Sequence, residues 1–399
     1  MKKIYPALLF LLISGCSQVD RSLTIYSDSS EVAELVNLFN QTQSLYEASF
    51  IYKPSGNKEM INPGQNDIIF ENGLHGYMEK MKSLDDMREN IFVKSIYPEI
   101  LKTGILETSL KLIPLSLDIP VVLSKEKQNG KKFITWKDLT LESKEFNILK
   151  EGSLIQSGFS PLWSDSFLST YYHTRIHTLI GEMDDIDFND FIRTGDELIL
   201  WINDINGSIE LDHGFSEKYR YIPDYRLIRE GRTAFTVIPL SEWALLPDNI
   251  SRELEIQPLI IDGGLQSLKI LSVGIPLTAK NPEGAKVFLT WLLEEKTWED
   301  YLLLTGRNRD DSFAFLGGIS SSETLNTKIL PKTYPWIEPY IPRTGEFDRQ
   351  ADLPPQWIFL WKDLLLPMIR ESISNPLYDR DMGKEYEEWL LLHPDAWES

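Results

Sequence analysis

The sequence predicts an α/β protein of two lobes, on three observations. Short apolar runs alternate with amphipathic helical patterns from residue 23 onward, which implies parallel βαβ units. A β-rich stretch at 111–123 is punctuated by Pro114 and Pro120, which argues against a regular central strand and for a crossover between two bodies. The chain has 399 residues, 42% of them hydrophobic, enough to bury a sizeable core but too long for one typical domain.

Residues 23–26, Leu-Thr-Ile-Tyr, read as a buried strand closed by Ser27-Asp28-Ser29-Ser30. A helix over 31–40 follows, with Val32, Leu35, Val36 and Phe39 at 3- and 4-residue spacing and Ser29 or Ser30 as its cap. Residues 48–52 and 66–70 read as further strands, the second leading into Glu71-Asn72-Gly73. In such sheets ligands bind beyond the carboxyl ends of strands, which is where Ser27, Asp28, Glu71 and Asn72 fall. Thr135 is placed to cap a short helix within 133–139, and 188–202 is helical in pattern. Residues 219–229 read as a basic loop, and 231–239 as a glycine and strand that end near Trp243. Another strand at 256–261 is followed by Asp262-Gly263-Gly264. The helix at 285–293 is amphipathic through Val287, Phe288, Trp291 and Leu292, and 298–304 continues in that manner. The tail beyond Tyr334 is rich in Pro and Trp, with helix candidates at 357–373 and 382–392.

Ahead of these elements the sequence reads as an export leader. Lys2 and Lys3 precede an apolar run at 4–13, the layout of a secretory signal peptide and too short to span a bilayer. Ile13-Ser14-Gly15-Cys16 resembles the bacterial lipobox, whose cysteine becomes the lipidated first residue of the mature chain. Residues 1–15 are then the signal peptide and 16–21 a lipid-anchored tether, which puts the mature chain outside the cytoplasmic membrane on an acyl anchor. Cys16 is the only cysteine, so its lipidation removes every disulfide, thiolate metal site and cysteine nucleophile. The net charge of −20 becomes −22 once Lys2 and Lys3 are removed. Such a chain repels phosphate backbones and argues against nucleic-acid binding.

Five segments in this order resemble the extracellular solute-binding proteins of ABC importers, the sugar-binding type of family 1. They are 23–39, Asp67-Ile68-Ile69, the Pro-punctuated crossover leading to Thr135-Trp136-Lys137-Asp138-Leu139, 231–243, and Asn281-Pro282-Glu283-Gly284-Ala285-Lys286 with its helix. The resemblance implies a two-lobe periplasmic-binding-protein-like fold with a hinge and an interlobe ligand cleft. One lobe is expected over 22–118 and 263–310, the other over 119–262 and 311–399. It implies no catalytic residue and no cofactor. The partners it implies are a small solute, carbohydrate foremost, and the permease subunits of an importer. Carried onto this chain, Ser27, Asp28, Glu71 and Asn72 line one lobe and Asp118 lies at the crossover. Trp163 and Trp243 face in from the other lobe, and Gly263 and Gly264 allow close backbone approach to the ligand.

Other chemistry is weaker. His173 and His177 share a helix face at i, i+4, but no third ligand lies near them in sequence. Asp185, Asp187, Asn189 and Asp196 fall at positions of a calcium-loop spacing, with Asp190 where a glycine is required, so no metal site is expected. No nucleophile elbow, Walker loop or dinucleotide fingerprint occurs. Two alternatives to solute binding remain: an exported glycan-active enzyme with a carboxylate pair, and a surface scaffold with the same fold.

Overall fold

The structure, a computed structural model, describes residues 21–52, 66–126, 130–175, 188–306, 312–348, 350, 360–375 and 381–393. Cys16, His177, Asp185 and Asp187 lie outside the described residues. In chain order, the strands of the two main sheets are Ser22–Ser27 (β1), Glu47–Tyr52 (β2), Ile68–Asn72 (β3), Ile113–Asp118 (β4), Pro120–Ser124 (β5), Ile134–Thr135 (β6), Thr236–Pro239 (β7), Glu255–Ile261 (β8), Gly264–Leu265 (β9), Lys269–Gly274 (β10) and Ile319–Ser320 (β11).

The first sheet has the order β11-β4-β10-β3-β1-β2. Its β1, β2 and β3 are parallel, and β10 and β11 run against their neighbours. The helix Val32–Thr42 (α1) returns the chain from β1 to β2, burying Val32, Leu35, Val36 and Phe39, the four residues whose spacing predicts it. Phe39 packs 4.7 Å from Phe288 and 5.1 Å from Trp291 on the later helix Pro282–Leu292. Each such ring buried contributes about 1.5–3 kcal/mol. The expected serine cap is not made: no side chain caps α1, and the Ser29 hydroxyl donates instead to the Glu31 carboxylate at 2.5 Å.

Two of the family-like segments are joined by one carboxylate. Asp67 accepts from Thr24 N at 2.9 Å and from Asn281 N at 2.7 Å, while Asn281 Oδ1 caps its helix by accepting from Gly284 N at 3.0 Å. Asp67 thus fastens β1 to the start of a helix more than 200 residues later, a structural use of the motif.

The second sheet has the order β7-β5-β8-β9, with β6 beside β8. Its core gathers Phe167, Tyr172, Phe191 and Leu198 from the helices Asp165–Arg175 (α2) and Phe188–Ile205 (α3), Phe159 from the chain ahead of α2, and Leu365 and Ile369 from the tail. Thr135 caps the helix Trp136–Phe146 as expected, accepting from Asp138 N at 3.1 Å within a full capping box. The expected loop at 219–229 contains instead a short helix, Asp224–Arg229, that buries Leu227 and Ile228. Periodicity over six residues is too short to announce such a helix.

The proline argument at 111–123 holds for the crossing and fails for the strands. β4 and β5 are both inner strands, and only Ile119 separates them as the chain passes between lobes. Pro114 is accommodated where the β10 ladder shifts register between Leu271 and Ser272, and Pro120 is the first residue of β5. The chain recrosses between β9 and β10, and a third passage runs beside the second. There Leu265 N donates to Glu346 O at 2.8 Å, and Asp348 N donates to Leu265 O at 3.0 Å.

The tail divides differently from the expected boundary. Phe313, Phe315, Ile319, Leu325, Leu330 and Ile337 belong to the first core, and β11 completes the first sheet, so 312–347 does not join the second lobe. Only the helical segment from Leu360 onward packs there. The antiparallel edge strand on β4 comes from about 200 residues later in the chain, Ile319 pairing with Leu117 and Ser320 with Ser116.

Candidate functional site

A cavity of about 460 Å³ opens where the two lobes meet the crossing strands. The first lobe contributes the loop after β1 (Asp28 to Glu31), Tyr52 at the end of β2, and Asn72 at the end of β3. These are carboxyl ends of three parallel strands, where backbone direction leaves loops free to meet a ligand. The crossing strands contribute Ser116, Asp118 and Lys269, and the second lobe contributes Ser169, His173, Trp361 and Lys362. Both lobes and the crossing strands therefore touch this one space.

On the first wall, Asp28 Oδ2 accepts from Asn72 Nδ2 at 3.1 Å and from Asn72 N at 3.4 Å, tying the β1 and β3 loops together. At the floor, the Asp118 carboxylate is buried, and one oxygen accepts from Ile119 N at 3.0 Å and Ser241 N at 3.1 Å. The other accepts from the Ser241 hydroxyl. Burial pushes the Asp118 carboxyl up from its ordinary value, with Lys269 and the Ser241 bonds acting against it. Asp118 is a staple between the first crossover and the second lobe as well as a lining group.

The second wall is aromatic. Trp361 begins a π-helical turn, Trp361–Leu365, an irregularity often found at functional sites. Its ring lies 5.3 Å from the His173 ring and 5.9 Å from Tyr172. His173 projects from α2, and burial lowers its pKa to about 4, so the imidazole is neutral at physiological pH. A neutral imidazole beside an indole presents a hydrogen-bonding edge next to a flat apolar face.

Of the residues expected at the ligand, Asp28, Asn72 and Asp118 line this space. Ser27 and Glu71 are fully buried behind it, and the Ser27 hydroxyl accepts from Ser29 N at 2.9 Å. Trp163 is not at the cleft: it stacks on Phe215 at 5.1 Å within the second lobe and its indole N–H donates to Ser216. Trp243 packs 4.6 Å from Trp336 against the first core. Gly263 and Gly264 close the turn between β8 and β9, Gly263 with φ of 142°. Gly264 does permit a close approach, but to this chain: a Cβ there would stand 2.6 Å from Asp348 N in the third passage. His173, Trp361 and Tyr52 escaped the sequence reading as ligand groups. The only signal was the His173–His177 spacing, which suggests a metal, whereas no cluster of metal-binding side chains exists among the described residues.

A larger groove of about 740 Å³ lies elsewhere, between the helix Trp136–Phe146 and residues 228–235. All of its described lining comes from the second lobe.

No protein-family model matches the sequence, and no curated protein does. Solved structures do match the fold. An ABC transporter solute-binding protein from Thermotoga lettingae bound with α-D-tagatose superposes with a TM-score of 0.59 at 13% identity, over 91% of this chain and 97% of that one. The fold is that of the two-lobe solute-binding proteins. An extracellular solute-binding protein from Staphylococcus aureus in complex with maltose gives a TM-score of 0.58 at 11% identity, over 89% and 93% of the two chains. Thiaminase I from Bacillus thiaminolyticus gives 0.58 at 12% identity, over 89% of this chain and all (100%) of that one. The solute-binding fold therefore serves an enzyme as well as binding proteins. No helix among the described residues is long and apolar enough to cross a membrane.

Proposed function

We propose that this chain is a lipid-anchored extracytoplasmic receptor that captures a carbohydrate between its lobes and hands it to the permease of an ABC importer. The observation that carries this reading is the cleft built jointly by both lobes and the crossing strands. A solute touching Asp28 and Asn72 on one side and His173 and Trp361 on the other favours the closed arrangement by its differential affinity for it. The lining suits a sugar: Trp361 offers a flat face to C–H surfaces, and Asp28, Asn72, Ser169 and neutral His173 offer partners for hydroxyls. The described lining holds Asp28, Glu31 and Asp118 against Lys269 and Lys362, so neither charge sign dominates the space. Solved proteins of the same fold hold tagatose and maltose. Lipidation of Cys16 supplies the membrane attachment in this reading.

The test uses the chain beginning at Ser17, without lipid, with tagatose, maltose and mannobiose as probes and melting temperature and Trp fluorescence as readouts. Binding at a hundred times the dissociation constant stabilises by about 2.7 kcal/mol, and Trp361→Leu abolishes the fluorescence response. Because thiaminase I shares the fold, each mixture is also analysed by mass spectrometry. A flat response to every sugar refutes carbohydrate capture, and a new product refutes a purely binding role.

A further inference from the structure

Glu71 stands one residue before cleft-lining Asn72, fully buried, on the face of the first sheet away from the main core. Along β3 its side chain shares a face with Ile69, which packs with Tyr26, Leu74, Met81 and Leu112. Directly opposite in the antiparallel ladder is Ser272. Neither Glu71 oxygen has a hydrogen-bond partner among the described residues, and nor does the buried Ser272 hydroxyl. The titratable groups that face Glu71 are Asp28 from the loop after β1, Tyr26 from β1 and Tyr77 from the 3-10 helix Leu74–Lys80. All three are acids.

Among the described residues the buried Glu71 carboxyl accepts no hydrogen bond and pairs with no cation, and it faces a second carboxyl. Ionising it there carries a large desolvation cost, and the group escapes that cost by keeping its proton. We propose that Glu71 is a proton-holding residue whose neutral state keeps the Asp28–Asn72 wall of the cleft in place, and whose ionisation loosens that wall as pH rises. The coupling is structural. Asn72, the next residue of the same strand, donates twice to Asp28, and Asp28 is the group that a newly ionised Glu71 repels. Desolvation first and Asp28 second push the Glu71 carboxyl well above the ordinary range, and burial likewise pushes Tyr77 up to about 12. The sign follows. A group whose folded-state pKa is raised gives stability that is complete below its unfolded value and is lost as pH rises through the folded value. If solute binds at this cleft, as proposed above, affinity falls over the same window.

The experiment needs no solute, so its failure is distinct from failure of the carbohydrate reading. The chain from Ser17 and its Glu71→Gln variant are titrated from about pH 5 to about pH 9, a span that reaches the values documented for buried glutamates. Infrared difference spectra are expected to show a protonated carboxylic C=O band at neutral pH in the wild type that is missing from the variant. Amide exchange over 68–74, corrected for its intrinsic pH dependence, is expected to accelerate several-fold at alkaline pH in the wild type and to stay flat in the variant. Asp28→Asn, which removes the facing charge, is expected to let Glu71 lose its proton at lower pH, so that the carboxylic band disappears at lower pH than in the wild type; an unmoved transition shows that the two groups are uncoupled and overturns the proposal. Absence of the protonated band, or parallel exchange profiles in wild type and Glu71→Gln, overturns it. Should Glu71→Gln fail to fold, the wild-type band and the Asp28→Asn shift decide the matter alone.

Discussion

Replacing Asp118 with alanine and, separately, with asparagine tests how the lobes are joined. The alanine variant removes the acceptor of three donors: Ile119 N, Ser241 N and the Ser241 hydroxyl. Leaving a buried donor unsatisfied costs about 1–3 kcal/mol each, and relief from holding a buried carboxylate returns part of that. The net loss expected is about 3 kcal/mol. Asparagine keeps one oxygen where Oδ1 now accepts both backbone donors, and its NH2 replaces Oδ2, so the Ser241 hydroxyl need only turn from donor to acceptor. That variant is expected to lose less than about 1 kcal/mol. Urea denaturation at neutral pH is the assay, with thermal melting beside it. For units of this size about 3 kcal/mol corresponds to roughly 6–12 °C. Equal losses for alanine and asparagine, or an alanine shift under about 2 °C, would refute the view that this carboxylate staples the first crossover to the second lobe.

Two further perturbations bear on the hinge and the aromatic wall. Gly264→Ala places a Cβ 2.6 Å from Asp348 N and 3.0 Å from Phe347 C, backbone atoms that cannot swing aside. A loss of about 1–3 kcal/mol in urea is expected, and none would show that the second and third passages are not in contact. His173 has its pKa lowered from 6.5 to about 4 by burial, so the unfolded chain takes its proton first and stability is lost as pH falls through that window. The amount is about 3 kcal/mol, at about 1.4 for each tenfold change in proton affinity. His173→Gln is expected to lack that component, read as the difference in urea midpoint between wild type and variant at about pH 7 and about pH 4.5.

How much of this was legible in the sequence depends on the reach of each interaction. α1 and the Thr135 cap are written in residues three or four apart, and the structure has them where spacing puts them. Asp28 and Asn72 were reachable because strand ends in parallel sheets face a cleft, a rule that needs only the strands, whereas Asp118 came with the crossover that the family resemblance implies. Trp163 and Trp243 show the limit of that reasoning. An aromatic residue in a polar or strand-like setting carries no mark of which side it faces, and both are spent on packing, against Phe215 and Trp336. The wall that does face the cleft comes from His173 and Trp361, which touch across 188 residues of chain and owe their positions to the second core. Gly264 makes the same point from the other side: a glycine kept for close approach was legible as such, but the approaching atom belongs to Asp348, in a passage that no local pattern announces. Local rules therefore located the strand-end half of the cleft, and long-range packing chose the half that closes on it.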